Sequence, residues 1–312
     1  MKRFIFKKLL FLIVFAFFTV LIIGINYKIV NDTKLTIKTN TLALGDSNVE
    51  CAINDNIFTS STNLASSADP YFYSYLKLKK ILRNNKIDTL LLGFAPHDIF
   101  DNGWLLDDAH INDRLPRYYP LMNVKEYKIL ILNNFYGLIS ALPTVEKKSL
   151  KNIIYRLAGK NLNIKYGGFL KLKKNDLEQS KKKLKRGEKI NYIPDSLSVT
   201  KLEVTYLNKI IDLCKSNHIK LYLINTPKRK ELLNYPKYGY KEFKQFYLKY
   251  YNKIDFLDFS SFSMPDDCYG DLVHLNEKGS AFFSQYLKEK GLQNIILQYK
   301  SSNLFKNEIS FE

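Results

Sequence analysis

"TLALGDSNVECA" (Thr41–Ala52) starts as an apolar run, breaks at Gly45, and at once presents an acid and a hydroxyl before a helical pattern resumes. A strand that ends in small residues and restarts as a helix can hold a nucleophile at its carboxyl edge. It can equally be a plain corner in which Ser47 caps the helix. The rest of the chain supplies the context for choosing.

Working outward, "SADPYFYSYLKLKKILRNN" (67–85) has helical period and an Asp-Pro start, and "IDTLLLGFAP" (87–96) is an apolar strand. The helical "KLEVTYLNKIIDLC" (201–214) precedes a strand in "KSNHIKLYLINTP" (215–227). Another strand follows in "YNKIDFLDFS" (251–260), and "NEKGSAFFSQYLKEKG" (276–291) is the last clear helix. Near-continuously apolar strands separated by helices predict an α/β fold, a parallel sheet covered on both faces. Such sheets bind ligands at the carboxyl ends of their strands, where "LGDS", "GFAPHD" and "INTP" place small and polar residues.

The chain has 312 residues, 46% of them hydrophobic, enough for one sizeable domain with an appendage. Lys2, Arg3, Lys7 and Lys8 precede Leu9–Ile25, a run without charge that is long enough to cross a bilayer of about 30 Å. The positive-inside bias places the N-terminus in the cytoplasm and everything after Lys28 across the membrane. Residues 1–30 are therefore expected to be a basic flank and transmembrane anchor, and 31–312 an extracytoplasmic domain, periplasmic or at the cell surface. A cleaved signal peptide is the alternative, although "GINYKIVND" lacks the small-x-small pattern of a cleavage site.

From about residue 100 to 200 the alternation is lost. An aromatic and acidic stretch gives way to one dense in lysine, expected to be an insertion: either a lid or substrate-facing lobe, or a solvated surface. The net charge of +18 invites nucleic acid, anionic lipid or an acidic polymer. No nucleic-acid-binding motif accompanies it, and the topology argues against that partner. Cys51, Cys214 and Cys268 fit no metal spacing and form one bridge at most: Cys51 with Cys268, or three buried thiols. No His/Cys/Asp spacing recommends a metal, and no cofactor is expected.

The partner that Ser47 needs stands near the other end, in "CYGDLVHLNEKGSAFFSQYL" (268–287). Asp271 and His274, three residues apart, let a carboxylate hold one imidazole nitrogen while the other faces outward. A serine hydroxyl is a weak nucleophile at neutral pH, and an oriented imidazole is the usual activator.

With "LGDSN" near the start and "DLVHLNEKG" near the end, the chain resembles the SGNH/GDSL hydrolase superfamily over about residues 40 to 290. The resemblance implies a three-layer α/β/α, flavodoxin-like parallel sheet. It also implies Ser47 as nucleophile, His274 as general base and then acid, Asp271 orienting His274, and the Ser47 N–H as an oxyanion donor. The middle blocks depart from the pattern. "NLASSAD" (63–69) puts Ala68 or Ser67 where a glycine would donate its N–H, and "LLLGFAPHD" has Gly93 but no asparagine after it. His97 is the nearest donor there, for an oxyanion, for substrate, or for a strand-end backbone group. His110 and His218 stand beside no matching block.

A single N-terminal anchor before such a domain is similar to the layout of proteins that acylate or deacylate cell-envelope polymers, several of which act beside a multi-spanning membrane acyltransferase. The expected activity is therefore esterase or O-acyltransferase chemistry on an acylated carbohydrate through an acyl-Ser47 intermediate. "WLLDD" and "RLPRYYP" are aromatic stretches that could stack on sugar rings. A tethered, non-catalytic scaffold that binds glycan is the alternative from another class.

Overall fold

The computed structural model describes residues 2–101, 106–162, 164–173 and 176–301. In chain order its elements are α1 (Lys2–Asp32), β1 (Thr41–Leu44), α2 (Ser47–Ala52), β2 (Ser61–Asn63), α3 (Tyr71–Ile81), β3 (Thr89–Gly93), α4 (Pro96–Ile99) and β4 (Phe100–Asp101). Then follow α5 (Asp108–Tyr118), α6 (Val124–Leu157), α7 (Leu177–Arg186), β5 (Ser196–Val199), α8 (Lys201–Ser216), β6 (Lys220–Asn225) and α9 (Lys230–Leu233). The chain continues with α10 (Tyr240–Tyr250), β7 (Asp255–Asp258), α11 (Glu277–Lys290) and α12 (Leu292–Ser301). They fall into two compact units, Met1–Leu35 with Trp104–Lys165, and Thr36–Gly103 with Tyr166–Glu312. The irregular region of the sequence is thus divided: its helical first part groups with α1, and from Tyr166 the chain rejoins the sheet unit.

The sheet unit is α/β. Five parallel strands stand in the order β2-β1-β3-β6-β7. The order steps outward one way from β1 to β2 and the other way from β1 to β3, so the topological switch lies between β1 and β3. Period-two alternation explains how both faces are covered. Ala43, Leu91, Ile224 and Leu257 point into a core completed by Val49 of α2, Phe283 and Leu287 of α11 and Ile295 of α12. The intervening Leu42, Leu44, Leu90, Leu92 and Leu223 are equally buried. Burying each such side chain contributes about 1.5–3 kcal/mol. α3 and α8 pack against each other, with the Phe72 and Tyr206 rings 4.8 Å apart.

Two glycines let the strand ends meet at the switch. Gly45 has φ +145, and a Cβ there would fall 3.2 Å from the backbone of Gly93; one on Gly93 would fall 2.9 Å from Val49 Cγ2. The break at Gly45 is therefore required by backbone approach as well as by conformation.

α3 begins after Pro70, and the Tyr71 N–H donates to Glu203 Oε2 of α8 over 2.8 Å. Burial pushes the Glu203 carboxyl up to about 8 from an ordinary 4.5, although the Tyr71 N–H opposes the shift. Between those values the folded chain binds the proton that the unfolded chain has released, so stability falls as pH rises through this window. Glu203→Gln keeps an acceptor for Tyr71 without titrating. Its melting temperature is expected to lose this part of the decline between about pH 5 and 8, seen in parallel thermal melts of the two chains.

The helical unit holds α1, α5 and α6. α1 and α6 are both long and apolar enough to cross a membrane, by length and composition. α6 is interrupted at Asn134, whose φ −153 and ψ 79 are not helical. Asn134 Nδ2 reaches Leu106 O and Asp108 Oδ1 at the start of α5, whereas Tyr127 and Ser149 both meet Tyr119 just past its end. The two halves of α6 therefore run back and forth along α5 as a hairpin.

Candidate active site

Asp46 caps α2: its Oδ1 accepts the Asn48 N–H over 2.9 Å. Ser47 is the first residue of that helix, where an amide has no acceptor within the helix. From the far end of the chain, Asp271 Oδ1 accepts the N–H groups of Val273 and His274, both over 2.8 Å, which winds Asp271–His274 into one turn. That turn sets His274 Nδ1 at 2.7 Å from Asp271 Oδ2 and His274 Nε2 at 2.8 Å from Ser47 Oγ. The three residues, 227 positions apart at their extremes, form one hydrogen-bonded row. Burial alone would raise the Asp271 carboxyl, but the His274 ring and the two amides hold it below its ordinary range, so it stays ionised beside the imidazole. The Tyr192 ring meets His274 edge-on, with centroids 6.1 Å apart.

Behind Ser47 lies a buried polar cluster. Asp46 Oδ2 is 2.8 Å from His97 Nε2 and accepts from Asn48 Nδ2 over 2.7 Å; Asn48 Oδ1 in turn accepts from Lys228 Nζ over 2.8 Å. Lys228 also donates to Thr226 Oγ1, over 2.7 Å, at the end of β6. Burial would raise the Asp46 carboxyl, but His97 and Lys228 hold it far below its usual range. Burial likewise lowers Lys228 to about 8 against the pull of Asp46 and Asp98, and it lifts Asp98 to about 6 despite His97. His97, the candidate donor for an oxyanion, for substrate or for a strand-end backbone group, directs its Nε2 at Asp46 and Asn48. The side-chain ligand atoms of Asp46, His97 and Asp98 all lie within 4.8 Å of one another and are the candidate metal-ligand group among the described residues. A cation placed there would displace the Asp46–His97 contact and face the Lys228 ammonium one residue away.

Ala68, the other proposed oxyanion donor, has φ +54, the left-handed conformation that favours glycine. Its turn is held on all sides. The Ser66 N–H donates to Gly45 O over 3.0 Å, Ser67 Oγ donates to Glu50 Oε2, and Asp69 pairs with the fully buried Lys77 at 2.9 Å. Lys77 Nζ also donates to Leu64 O, over 2.6 Å. The alanine therefore adopts the backbone shape expected of a glycine at that place, and the surrounding contacts hold it there. His218, also at positive φ, lies in the exposed turn before β6, and His110 Nδ1 pairs with Asp107.

Residues 166–173 and Asp176, within the lysine-rich stretch of the sequence, lace the two halves of the site together. Gly168 N–H donates to Ala65 O and Leu170 N–H to Glu50 O, both over 3.0 Å, on the Ser47 side. Leu172 O accepts from Glu277 N–H over 3.1 Å and Gly270 O from Asp176 N–H over 2.7 Å on the His274 side. Gly167 has φ +145, and a Cβ on it would fall 2.2 Å from Ala65 O. The one visible signal was the Gly167-Gly168 pair. Lys228 was equally unmarked, since a buried lysine looks in sequence like any surface one. Trp104 and Leu105 of the proposed sugar-stacking stretch, and Lys174 and Asn175 of the lysine-rich run, lie outside the described residues. All three cysteines are free and buried.

One family model, which carries no functional description, matches residues 169–296, less than half of the chain. No curated protein matches. Among solved structures, the chain is similar to a Bacteroides fragilis protein provisionally described as an acylhydrolase, at 11% identity and a TM-score of 0.37, over 88% of this chain and 94% of that one. It is also similar to a Streptococcus pneumoniae protein provisionally described as a platelet activating factor, at 14% identity and a TM-score of 0.35, over 91% and 97%. Both likenesses are distant, so the chemistry has to be argued from the site.

Proposed function

We propose that this chain is an SGNH/GDSL-type serine hydrolase or acyltransferase that works through an acyl-Ser47 intermediate. The observation that carries the proposal is the unbroken row Ser47 Oγ, His274 Nε2, His274 Nδ1, Asp271 Oδ2, with separations of 2.8 and 2.7 Å, at the switch point of the sheet. His274 takes the proton as Oγ attacks the acyl carbonyl, then delivers it to the departing alkoxide. Water or a second hydroxyl, deprotonated by His274, next attacks the acyl-serine and frees the enzyme. Asp271, kept ionised, fixes the tautomer and stabilises the imidazolium. The oxyanion is met by the amides of Ser47 and Ala68, each such donor contributing about 3 kcal/mol to the transition state. His97 and Lys228 act through Asp46 and Asn48 on the start of α2 and touch no reacting atom.

In the same proposal α1 anchors the protein with its N-terminus in the cytoplasm, and the sheet unit works outside on an acylated cell-envelope glycan, beside a multi-spanning acyltransferase. The excess of lysine suits an anionic polymer. The full chain in detergent is expected to release p-nitrophenol from p-nitrophenyl acetate and to be labelled by a fluorophosphonate at Ser47. If neither occurs with folded protein, the catalytic proposal falls and the glycan-binding scaffold takes its place. If hydrolysis occurs, acceptor-dependent acylation of an added polysaccharide distinguishes transferase from esterase.

A further inference from the structure

Between α7 and β5 the chain returns to the catalytic row. α7 buries Leu177 and Leu184 in the core and ends at Gly187, whose φ is +66. Ile193 N–H donates to Ile190 O over 2.9 Å, and the turn so formed carries Tyr192. The Tyr192 hydroxyl is buried beside Ser180 of α7 and Leu272, and its ring meets the His274 ring edge-on, with centroids 6.1 Å apart. Three ties fix α7 and its neighbours to the segment that bears His274. Asp176 N–H donates to Gly270 O over 2.7 Å, and Lys181 Nζ donates to Asp266 Oδ2 over 2.8 Å. Arg229, whose N–H donates to Leu272 O over 3.0 Å, pairs with Asp266 Oδ1 at 2.7 Å. The tyrosine ring is thus a wall set at a fixed distance from the imidazole.

In the free enzyme the imidazole does not depend on that wall. Asp271 Oδ2 holds Nδ1 at 2.7 Å and Ser47 Oγ holds Nε2 at 2.8 Å, so both sides of the ring are fixed. Acylation removes one of them. Oγ then carries the acyl group and has no proton to donate, and Nε2 has passed its proton to the departing alkoxide. The ring is left on its contact with Asp271, about which it can swing. Deacylation needs Nε2 aimed at an incoming water or hydroxyl. Nε2 takes that proton as the oxygen bonds to the acyl carbon, and returns it to Oγ as the acyl–Oγ bond breaks. An aromatic ring packed on the imidazole limits the swing through this step.

We propose that Tyr192 is a positioning residue for His274 in the acyl-enzyme, keeping the imidazole aligned for deacylation once Ser47 no longer holds it. The proposal rests on the reading of Ser47, His274 and Asp271 as a catalytic row, and its test separates the two.

The full chain in detergent, Tyr192→Phe and Tyr192→Leu are each mixed rapidly with p-nitrophenyl acetate. Tyr192→Leu is expected to release about one equivalent of p-nitrophenol in a burst and then turn over about 10- to 100-fold more slowly than wild type, with KM lowered in step. Its labelling by a fluorophosphonate, which uses the free-enzyme row, is expected to slow by less than about threefold. Tyr192→Phe keeps the ring and is expected to match wild type in both. Wild-type turnover by Tyr192→Leu, at any KM, overturns the proposal. So does an equal loss of labelling and turnover without a burst, since the whole loop would then be disturbed, and so does a Tyr192→Phe chain as slow as Tyr192→Leu. Should Tyr192→Leu fail to fold by circular dichroism, Tyr192→Met takes its place and the same outcomes decide. If wild type is neither labelled at Ser47 nor active, the catalytic row itself falls and this proposal with it.

Discussion

Ser47→Ala and His274→Ala are each expected to lower kcat for ester hydrolysis on the order of 10⁴- to 10⁶-fold, and the double variant to be no worse than either alone. The reason is the row itself. With the hydroxyl gone, His274 has no proton to take; with the imidazole gone, Oγ stays protonated at neutral pH. Either loss disables the same step. Asp271→Asn is expected to cost about 10⁴-fold, because the Val273 and His274 N–H groups keep the amide oxygen at the Oδ1 position and turn the NH2 donor toward His274 Nδ1, which favours the wrong tautomer. Steady-state kinetics on the four proteins, with circular dichroism to show equal folding, check this. If the double variant instead falls by the product of the single effects, the two residues act in separate steps and the shared-proton mechanism is wrong.

What could be read in advance follows from how local each signal is. The turns around Ser47 and around Asp271–His274 are short, contiguous segments whose shapes are fixed by residues within them: Asp46 on the Asn48 N–H, Asp271 on the Val273 and His274 N–H groups. Buried strands such as β3 and β6 declare themselves by apolar runs of four or five residues. By contrast, β2 is three residues long and, among the described residues, pairs with β1 alone, so neither length nor period marks it. Gly168, Leu170, Leu172 and Asp176 are held by backbone groups of Ala65, Glu50, Glu277 and Gly270, and backbone bonding leaves no trace in side-chain pattern. α6 was hidden for another reason: its apolar half is reversed at Asn134, and no helical period survives a hairpin. Lys77 and Lys228 are the hardest class. Each is a buried cation whose position depends on anions brought from elsewhere, Asp69 for one and the Asp46–Asn48 corner for the other.

Gly279→Ala is expected to damage stability and catalysis together. Gly279 lies in the first turn of α11, and a Cβ built on it would fall 2.0 Å from Cys268 O, a backbone atom that cannot rotate away. The same carbonyl accepts from Asn276 N–H over 3.1 Å, and Asn276 Oδ1 caps α11 by accepting the Gly279 N–H, also over 3.1 Å. Asn276 Nδ2 donates to Asp267 O and Tyr269 O, and Gly270 N–H donates to His274 O over 2.9 Å. A methyl at 279 must therefore separate α11 from the loop that carries His274. Overpacking of this kind costs about 1–3 kcal/mol, or roughly 2–4 °C of melting temperature per kcal/mol for a domain of this size. The catalytic effect follows from geometry. The His274–Ser47 contact of 2.8 Å cannot survive a shift of about 1 Å, and misplacement on that scale costs about 10²-fold in rate. The two effects are separable: at 20 °C, well below the melting transition, the variant should remain folded by circular dichroism yet react with a fluorophosphonate about 10²-fold more slowly. Wild-type labelling with a lowered melting temperature would mean that α11 yields and the His274 loop stays put. In that case the loop is positioned by Asp271 and its amides alone, without help from the helix that follows it.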